Sequence, residues 1–91
     1  MAKFLIEVPH EAEISSCAKA VQAFLLTGSH FMTHADWGCE DGEHKAWITV
    51  ELGSKEEARN ILPPNYRKEA KIVCLRKFNL EEIDEILAQH Q

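Results

Sequence analysis

The 91-residue sequence has no long apolar run, few basic residues and only three cysteines. No stretch approaches the roughly 20 apolar residues of a membrane-spanning helix, so we expect no membrane partner. Fifteen acidic against ten basic residues give a formal net charge of −5, which argues against binding to nucleic acids or anionic membranes. Three cysteines cannot all pair within one chain. Free thiols and an N-terminus unlike a signal peptide predict a cytoplasmic protein.

The hydrophobic content of 45% is enough for one core, and no repeat or long linker divides the chain. We therefore expect a single domain spanning residues 1–91. Changes in apolar periodicity predict the order β-α-β-β-α-β-α. The predicted strands cover residues 4–8, 30–39, 44–52 and 71–78. The predicted helices start near Ala12, after a capping box at Ser54, and after Asn79.

A β-α-β-β-α-β order of this kind folds into an antiparallel sheet with both main helices on one face, here followed by a C-terminal helix. The fold class is therefore α+β. The fourth strand is apolar on both sides at Ile72, Val73, Cys74 and Leu75, which is typical of a strand covered on both faces. A second copy of the chain is the simplest cover for the open face. We therefore expect a homodimer.

The hairpin strand Ala46-Trp47-Ile48-Thr49-Val50-Glu51, running into Ser54-Lys55-Glu56-Glu57-Ala58, resembles the dimeric α/β-barrel proteins of the ferredoxin-like fold. The resemblance covers nearly the whole chain. That superfamily includes small nickel-binding proteins, isomerases and cofactor-free monooxygenases, so it implies a fold and a dimer without selecting one activity.

The Asp41-Gly42 turn sets the register of the predicted hairpin and places Cys39 opposite His44. The first strand should run parallel to the second, which brings His10 to the same edge of the sheet. A Cys-His-His set with one open position suits zinc, nickel or copper. Cys39, His44 and His10 are therefore a candidate metal site. The alternative is that they are unconnected surface residues, and Cys17 and Cys74 are interpreted as inert thiols of the core.

The same register predicts a polar group on the open face of the sheet, made of Glu7, His34, Asp36 and Trp47. A histidine beside carboxylates in a partly desolvated cavity has the chemistry of a general base, and Trp47 offers a flat wall to a ring-shaped ligand. These four residues are therefore candidate ligand-binding residues. The alternative is that they form hydrogen bonds across the dimer interface.

Three alternative functions are considered for these two groups of residues. The first is a small protein that binds a transition metal or a small ligand through histidine and cysteine. The second is an enzyme, of the isomerase or cofactor-free oxygenase type, that uses the dimer interior on a small organic substrate. The third is a structural dimerisation module. The concentration of histidines and a cysteine before residue 45 favours the binding protein.

Overall fold

A computed structural model describes residues 1–90. The elements follow in the order β1 (Ala2–Pro9), α1 (Ile14–Leu26), α2 (His30–Thr33), β2 (Asp36–Trp37), β3 (Lys45–Leu52), α3 (Lys55–Asn60), β4 (Lys71–Leu75) and α4 (Leu80–Gln89). One-turn 3-10 helices occupy Cys39–Asp41 and Pro64–Tyr66. Within the described residues the fold is thus mixed α+β, with one four-stranded sheet and four α-helices.

The sheet has the order β2-β3-β1-β4, and every neighbouring pair of strands is antiparallel. Strand β1 lies in the interior of the sheet, between β3 and β4, and its alternate residues Phe4, Ile6 and Val8 are buried on one face. Helices α1, α2 and α3 add apolar side chains to the same core. The other residues of β1 face the side of the sheet that these core residues do not occupy, which we call the open face.

Local sequence signals explain where α3 and α4 begin. Ser54 Oγ accepts a hydrogen bond from the Glu57 amide at 3.2 Å, and a Glu57 carboxylate oxygen accepts one from the Gly53 amide at 3.1 Å. Asn79 Oδ1 accepts a hydrogen bond from the Glu82 amide at 2.9 Å. The bonds from the Glu57 and Glu82 amides satisfy donors that the first helical turn leaves without a partner, and the bond from the Gly53 amide ties the residue before the cap to the helix. The predicted starts of both helices are confirmed.

The predicted strand over residues 30–39 was wrong along most of its length. Residues His30–Thr33 form helix α2 instead, and only Asp36 and Trp37 pair with β3. Ser29 begins this helix, because its side chain accepts a hydrogen bond from the Phe31 amide at 3.2 Å. The turn buries Met32 in the core. Where the strand does form, its register with β3 is the predicted one, since Trp37 lies opposite Ala46.

The fourth strand is shorter than predicted and is not covered on both sides within one chain. It ends at Leu75, three residues before the predicted end at Phe78. Ile72 is buried, whereas Val73 and Leu75 are half-buried and Cys74 is exposed. The interpretation of Cys74 as a core thiol was therefore wrong. Among residues 1–90, no helix combines the length and apolar character needed to cross a membrane.

Candidate metal centre

The two histidines of the candidate centre are adjacent because the β1–β3 ladder continues one step beyond the strands. Pro9 pairs with Lys45 at the end of the ladder. The next amide of β1, that of His10, then donates a hydrogen bond to the His44 carbonyl oxygen at 3.0 Å. This bond holds the two imidazole rings on one edge of the sheet, with ring centroids 5.8 Å apart.

A tight connection between β2 and β3 places Cys39 beside this histidine pair. The Gly38 amide donates to the Lys45 carbonyl oxygen at 3.1 Å, and the Gly38 carbonyl oxygen accepts from Asp41 and Glu43, each at 3.0 Å. A Cβ on Gly38 would lie 2.7 Å from the Trp47 ring and 2.8 Å from the Glu43 carbonyl oxygen. Only glycine fits this approach, so Gly38 fixes the start of the turn that carries Cys39.

Helix α1 supplies a second cysteine. The helix begins at Ile14, shortly after β1 ends, so its first turn lies at the same edge of the sheet as His10. Cys17 occupies that turn, and its amide donates to the Glu13 carbonyl oxygen at 3.0 Å. Its side chain is half-buried and points to the histidines. The interpretation of Cys17 as a core thiol was wrong.

His10, Cys17, Cys39 and His44 form one compact cluster, in which one ligand atom from each residue lies within 4.8 Å of the other three. His10 Nε2 is 3.1 Å from Cys17 Sγ and 3.1 Å from Cys39 Sγ. His44 Nδ1 is 3.4 Å from Cys17 Sγ. Four soft donors converge on a common point, and they come from the end of β1, the start of α1 and the connection between β2 and β3.

Burial and mutual contact alter the acidity of two members of the cluster. The pKa of His10 is lowered, first because burial disfavours the charged imidazolium and second because His44 is near. The pKa of the Cys39 thiol is raised, chiefly by burial and then by its hydrogen bond with Cys17. The protein without metal therefore favours a neutral His10 and a protonated Cys39. A metal ion finds the imidazole ready to bind and must displace the thiol proton.

The donor set fits a metal ion better than it fits a network of hydrogen bonds. His10 Nε2 offers one lone pair to two thiols, while its Nδ1 is buried without a hydrogen-bond partner in the described chain. Trp37 lies against His10 with ring centroids 5.8 Å apart and against the core residue Phe24 at 4.9 Å. Trp37 thus packs at a tilt between the His10 ring and the core residue Phe24, and His10 Nε2 lies 3.1 Å from each of the two sulfurs. The four residues thus lie close enough together that they could hold a metal ion.

The topology argument correctly brought three of these residues together. His10, Cys39 and His44 were placed at one edge of the sheet from the sequence, and the structure places them there. Their role as metal ligands remains a prediction. Cys17 was missed because its position on the apolar stripe of α1 was interpreted as core packing. The short connection from β1 to α1 was the available signal, since it confines the first turn of α1 to the edge that carries His10.

The predicted ligand-binding group of Glu7, His34, Asp36 and Trp47 is only partly assembled in the structure. Trp47 Nε1 donates a hydrogen bond to a Glu7 carboxylate oxygen at 3.2 Å, and Asp36 lies opposite Trp47 on the next strand. His34 is not on the sheet, because it follows helix α2 and hydrogen-bonds through Nδ1 to the His30 carbonyl oxygen at 2.7 Å. No hydrogen bond within residues 1–90 joins His34 to the two carboxylates. The placement of His34 on the open sheet face was therefore wrong.

His34 lines a different feature, a groove of about 340 Å³ that also includes Thr49 and Glu51 of β3. A larger cavity, of about 480 Å³, lies beside the His/Cys cluster and has His10, Ser16, Lys19 and Tyr66 in its wall. His10 is thus the one residue of the cluster that also faces this cavity. No protein-family model, curated protein or solved structure matches the chain.

Proposed function

We propose that the protein binds one zinc ion through His10 Nε2, Cys17 Sγ, Cys39 Sγ and His44 Nδ1. The observation that carries the proposal is the convergence of these four donors within 4.8 Å, although they are spread over three separate segments of the chain. Unconnected surface residues have no reason to converge in this way. The cavity beside His10 gives an incoming ion a route to the cluster.

Zinc is preferred over nickel and copper because of the number and type of donors. Two sulfurs and two imidazole nitrogens arranged around one point favour tetrahedral coordination, which zinc adopts in structural sites, whereas Ni²⁺ and Cu²⁺ favour square-planar geometries. Two thiolates also balance the charge of a divalent ion, so a neutral centre is created in a half-buried position. With four protein ligands the centre is closed, which is typical of an ion that stabilises a fold.

The proposal also covers the fold, the oligomeric state and the cellular compartment of the protein. The sheet order and the antiparallel pairing support a ferredoxin-like fold, and the half-buried Val73 and Leu75 on the open face support a homodimer. Cys17 and Cys39 must both be reduced to bind zinc, and both are free thiols. A reducing compartment such as the cytoplasm suits this requirement.

The proposal is tested by elemental analysis of the untagged protein, purified with reductant and without chelator. We expect about one zinc per chain in the parent, with affinity lowered more than about 100-fold in Cys17→Ser and in Cys39→Ser. Cys74→Ser is the matched control, because Cys74 is the remaining cysteine and lies on β4, away from the cluster. Retention of parental affinity in both cluster variants would show that the site does not bind metal.

The histidine ligands allow a parallel comparison. We expect His10→Ala and His44→Ala to lose affinity, while His30→Ala keeps it because His30 lies on α2, outside the cluster. Substitution of the bound ion by Co²⁺ gives a spectroscopic readout. Intense visible absorption together with thiolate charge-transfer bands is expected of a tetrahedral site that contains sulfur. A weak octahedral spectrum would contradict the proposed coordination.

A further inference from the structure

Cys17 and Cys39 bring together two thiols that are far apart in the sequence. Both sulfurs belong to the His/Cys cluster, so they lie no more than 4.8 Å from each other. Cys17 lies in the first turn of α1, and Cys39 begins the 3-10 helix that follows β2. Both thiols are free and half-buried. A disulfide between them would therefore join two segments that the fold already holds side by side.

The distance that separates the two sulfurs from a covalent bond is small. A disulfide bond measures about 2.05 Å, so the sulfurs must approach by less than about 3 Å. Rotation about the Cα–Cβ bonds changes the position of each sulfur. The segment that carries Cys39 is built from a two-residue strand and a three-residue 3-10 helix. This short segment is the part of the backbone that has to adjust.

The two histidines supply proton acceptors beside these thiols. His10 Nε2 is 3.1 Å from each sulfur, and His44 Nδ1 is 3.4 Å from Cys17 Sγ. A thiolate is the form of cysteine that reacts with oxidants, and an imidazole in contact with a thiol can accept its proton. The cavity of about 480 Å³ that includes His10 gives small molecules access to this part of the cluster. Cys74 is not a member of the cluster.

A disulfide and a bound zinc ion exclude each other at this site. Zinc binds cysteine as a thiolate, whereas the sulfurs of a disulfide carry no negative charge. Formation of the bond therefore removes two of the four donors and leaves only the imidazoles of His10 and His44. It also removes the negative charge that balances a divalent ion.

We propose that Cys17 and Cys39 form a reversible disulfide when the protein meets hydrogen peroxide, and that this oxidation releases the zinc ion. The inference rests on the proposed zinc site and adds a regulation of that same site. The reduced protein then holds zinc, and the oxidised protein holds a covalent link between α1 and the connection from β2 to β3 in its place.

The reaction consumes one peroxide for each disulfide. One thiolate attacks a peroxide oxygen, an S–O bond forms, the O–O bond breaks, and the departing hydroxide takes up a proton to become water. The second thiolate then attacks the sulfenic acid sulfur, the S–S bond forms, the S–O bond breaks, and a second hydroxide leaves and is protonated. Starting from the zinc-bound dithiolate, the products are the disulfide, Zn²⁺ and two waters, with two protons taken up. A dithiol reductant reverses the step by thiol–disulfide exchange.

Treatment of the full chain with stoichiometric hydrogen peroxide tests the inference. After alkylation, peptide mass spectrometry is expected to find a disulfide between Cys17 and Cys39 and a free Cys74, in metal-free and in zinc-loaded protein. A zinc-sensitive dye is expected to detect about one zinc ion released per disulfide. The oxidised protein should bind zinc at least about 100-fold more weakly, and dithiothreitol should restore the affinity. Cys74→Ser is the matched control and should form the same disulfide.

The opposite results are equally definite. Disulfides that involve Cys74, or sulfinic acids at Cys17 and Cys39 in place of a disulfide, would overturn the inference. A Cys17–Cys39 disulfide that leaves the zinc ion bound would do the same. Zinc binding is measured on the reduced parent before oxidation. A reduced parent that binds no zinc overturns the proposed function and with it the release of zinc, whereas a metal-free parent that forms no Cys17–Cys39 disulfide overturns the redox inference alone.

Discussion

At the scale of a single residue, Gly38 determines the position of Cys39. We predict that Gly38→Ala destabilises the protein by about 1–3 kcal/mol and weakens zinc binding, because the added methyl group collides with the Glu43 carbonyl oxygen and the Trp47 ring. Gly53→Ala is the control, since its Cβ meets only the flexible end of Glu57, at 3.1 Å. Denaturant unfolding and zinc titration measure the two effects. Equal zinc affinity in both variants would contradict the role assigned to Gly38.

His10 gives the metal-free protein a pH dependence of definite sign. Its pKa in the fold is lowered from the model-compound value of 6.5, so between the two pKa values the unfolded chain binds more protons than the fold. The stability of the metal-free protein should therefore fall as pH decreases below 6.5 and level off below the folded pKa. We predict a His10 imidazole titration midpoint below 6.5 by NMR, with His10→Gln reducing the pH dependence. A midpoint at or above 6.5 would contradict the burial argument.

The thiol of Cys39 should contribute protons when zinc binds. Its pKa is raised by burial and by Cys17, so the thiol is protonated at neutral pH and must ionise to become a ligand. Calorimetric titration in buffers of different ionisation enthalpy measures the released protons. We predict that the parent releases more protons than Cys39→Ser at neutral pH and that zinc affinity falls as pH decreases, because protons compete with zinc for the Cys39 thiolate. The same proton release in parent and variant would place the Cys39 sulfur outside the coordination sphere.

At the scale of secondary-structure elements, helices and strands were predicted correctly where the local sequence signals were strong. The capping residues Ser54 and Asn79 located two helices, and β-prone runs of strand length located β1 and β3. The segment from residue 30 was mistaken for a strand because its apolar residues fit both periods over so short a length. Core packing of Met32 decided the outcome, and packing of this kind is not visible in local sequence.

The cluster of His10, Cys17, Cys39 and His44 was predictable only where the topology of the sheet determines it. Antiparallel pairing was enough to bring His10 and His44 to one edge of the sheet. The predicted two-residue Asp41-Gly42 turn was wrong, because pairing of β2 with β3 stops at Trp37 and a 3-10 helix over Cys39–Asp41 carries Cys39 to that edge. The direction in which α1 presents Cys17 depends on how the helix packs over the sheet. That direction could not be read from the periodicity of α1, because a residue near the end of the apolar stripe can face either the core or the sheet edge.

A variant of the α3 cap tests whether the stability of this helix affects zinc binding. We predict that Ser54→Ala lowers the free energy of unfolding by about 0.5–2 kcal/mol, because the Glu57 amide loses its hydrogen-bond acceptor. Zinc affinity should not change, since no ligand lies on α3. Chemical denaturation and zinc titration of the same variant make the comparison. A loss of zinc affinity would show that α3 and the centre are coupled, contrary to this prediction.

At the scale of the whole molecule, the proposed ion connects segments that are far apart in sequence. It joins the end of β1, the first turn of α1 and the connection between β2 and β3. On its N-terminal side, the connection between β2 and β3 is anchored to the sheet by the two-residue strand β2. Because an unfolded chain does not preserve this set of ligands, zinc binding should stabilise the folded state.

We predict that zinc raises the free energy of unfolding by about 2.7 kcal/mol when free zinc is about 100 times its dissociation constant. Hydrogen exchange should slow most in residues 10–17 and 38–44, which carry the ligands. Helix α4 is the internal control, because it contains none of the ligands. Cys17→Ser should abolish the zinc-dependent protection in both segments, since one missing thiolate opens the centre. Protection confined to residues 38–44 would instead mean that the ion is held by Cys39 and His44 alone, and that α1 is not part of the centre.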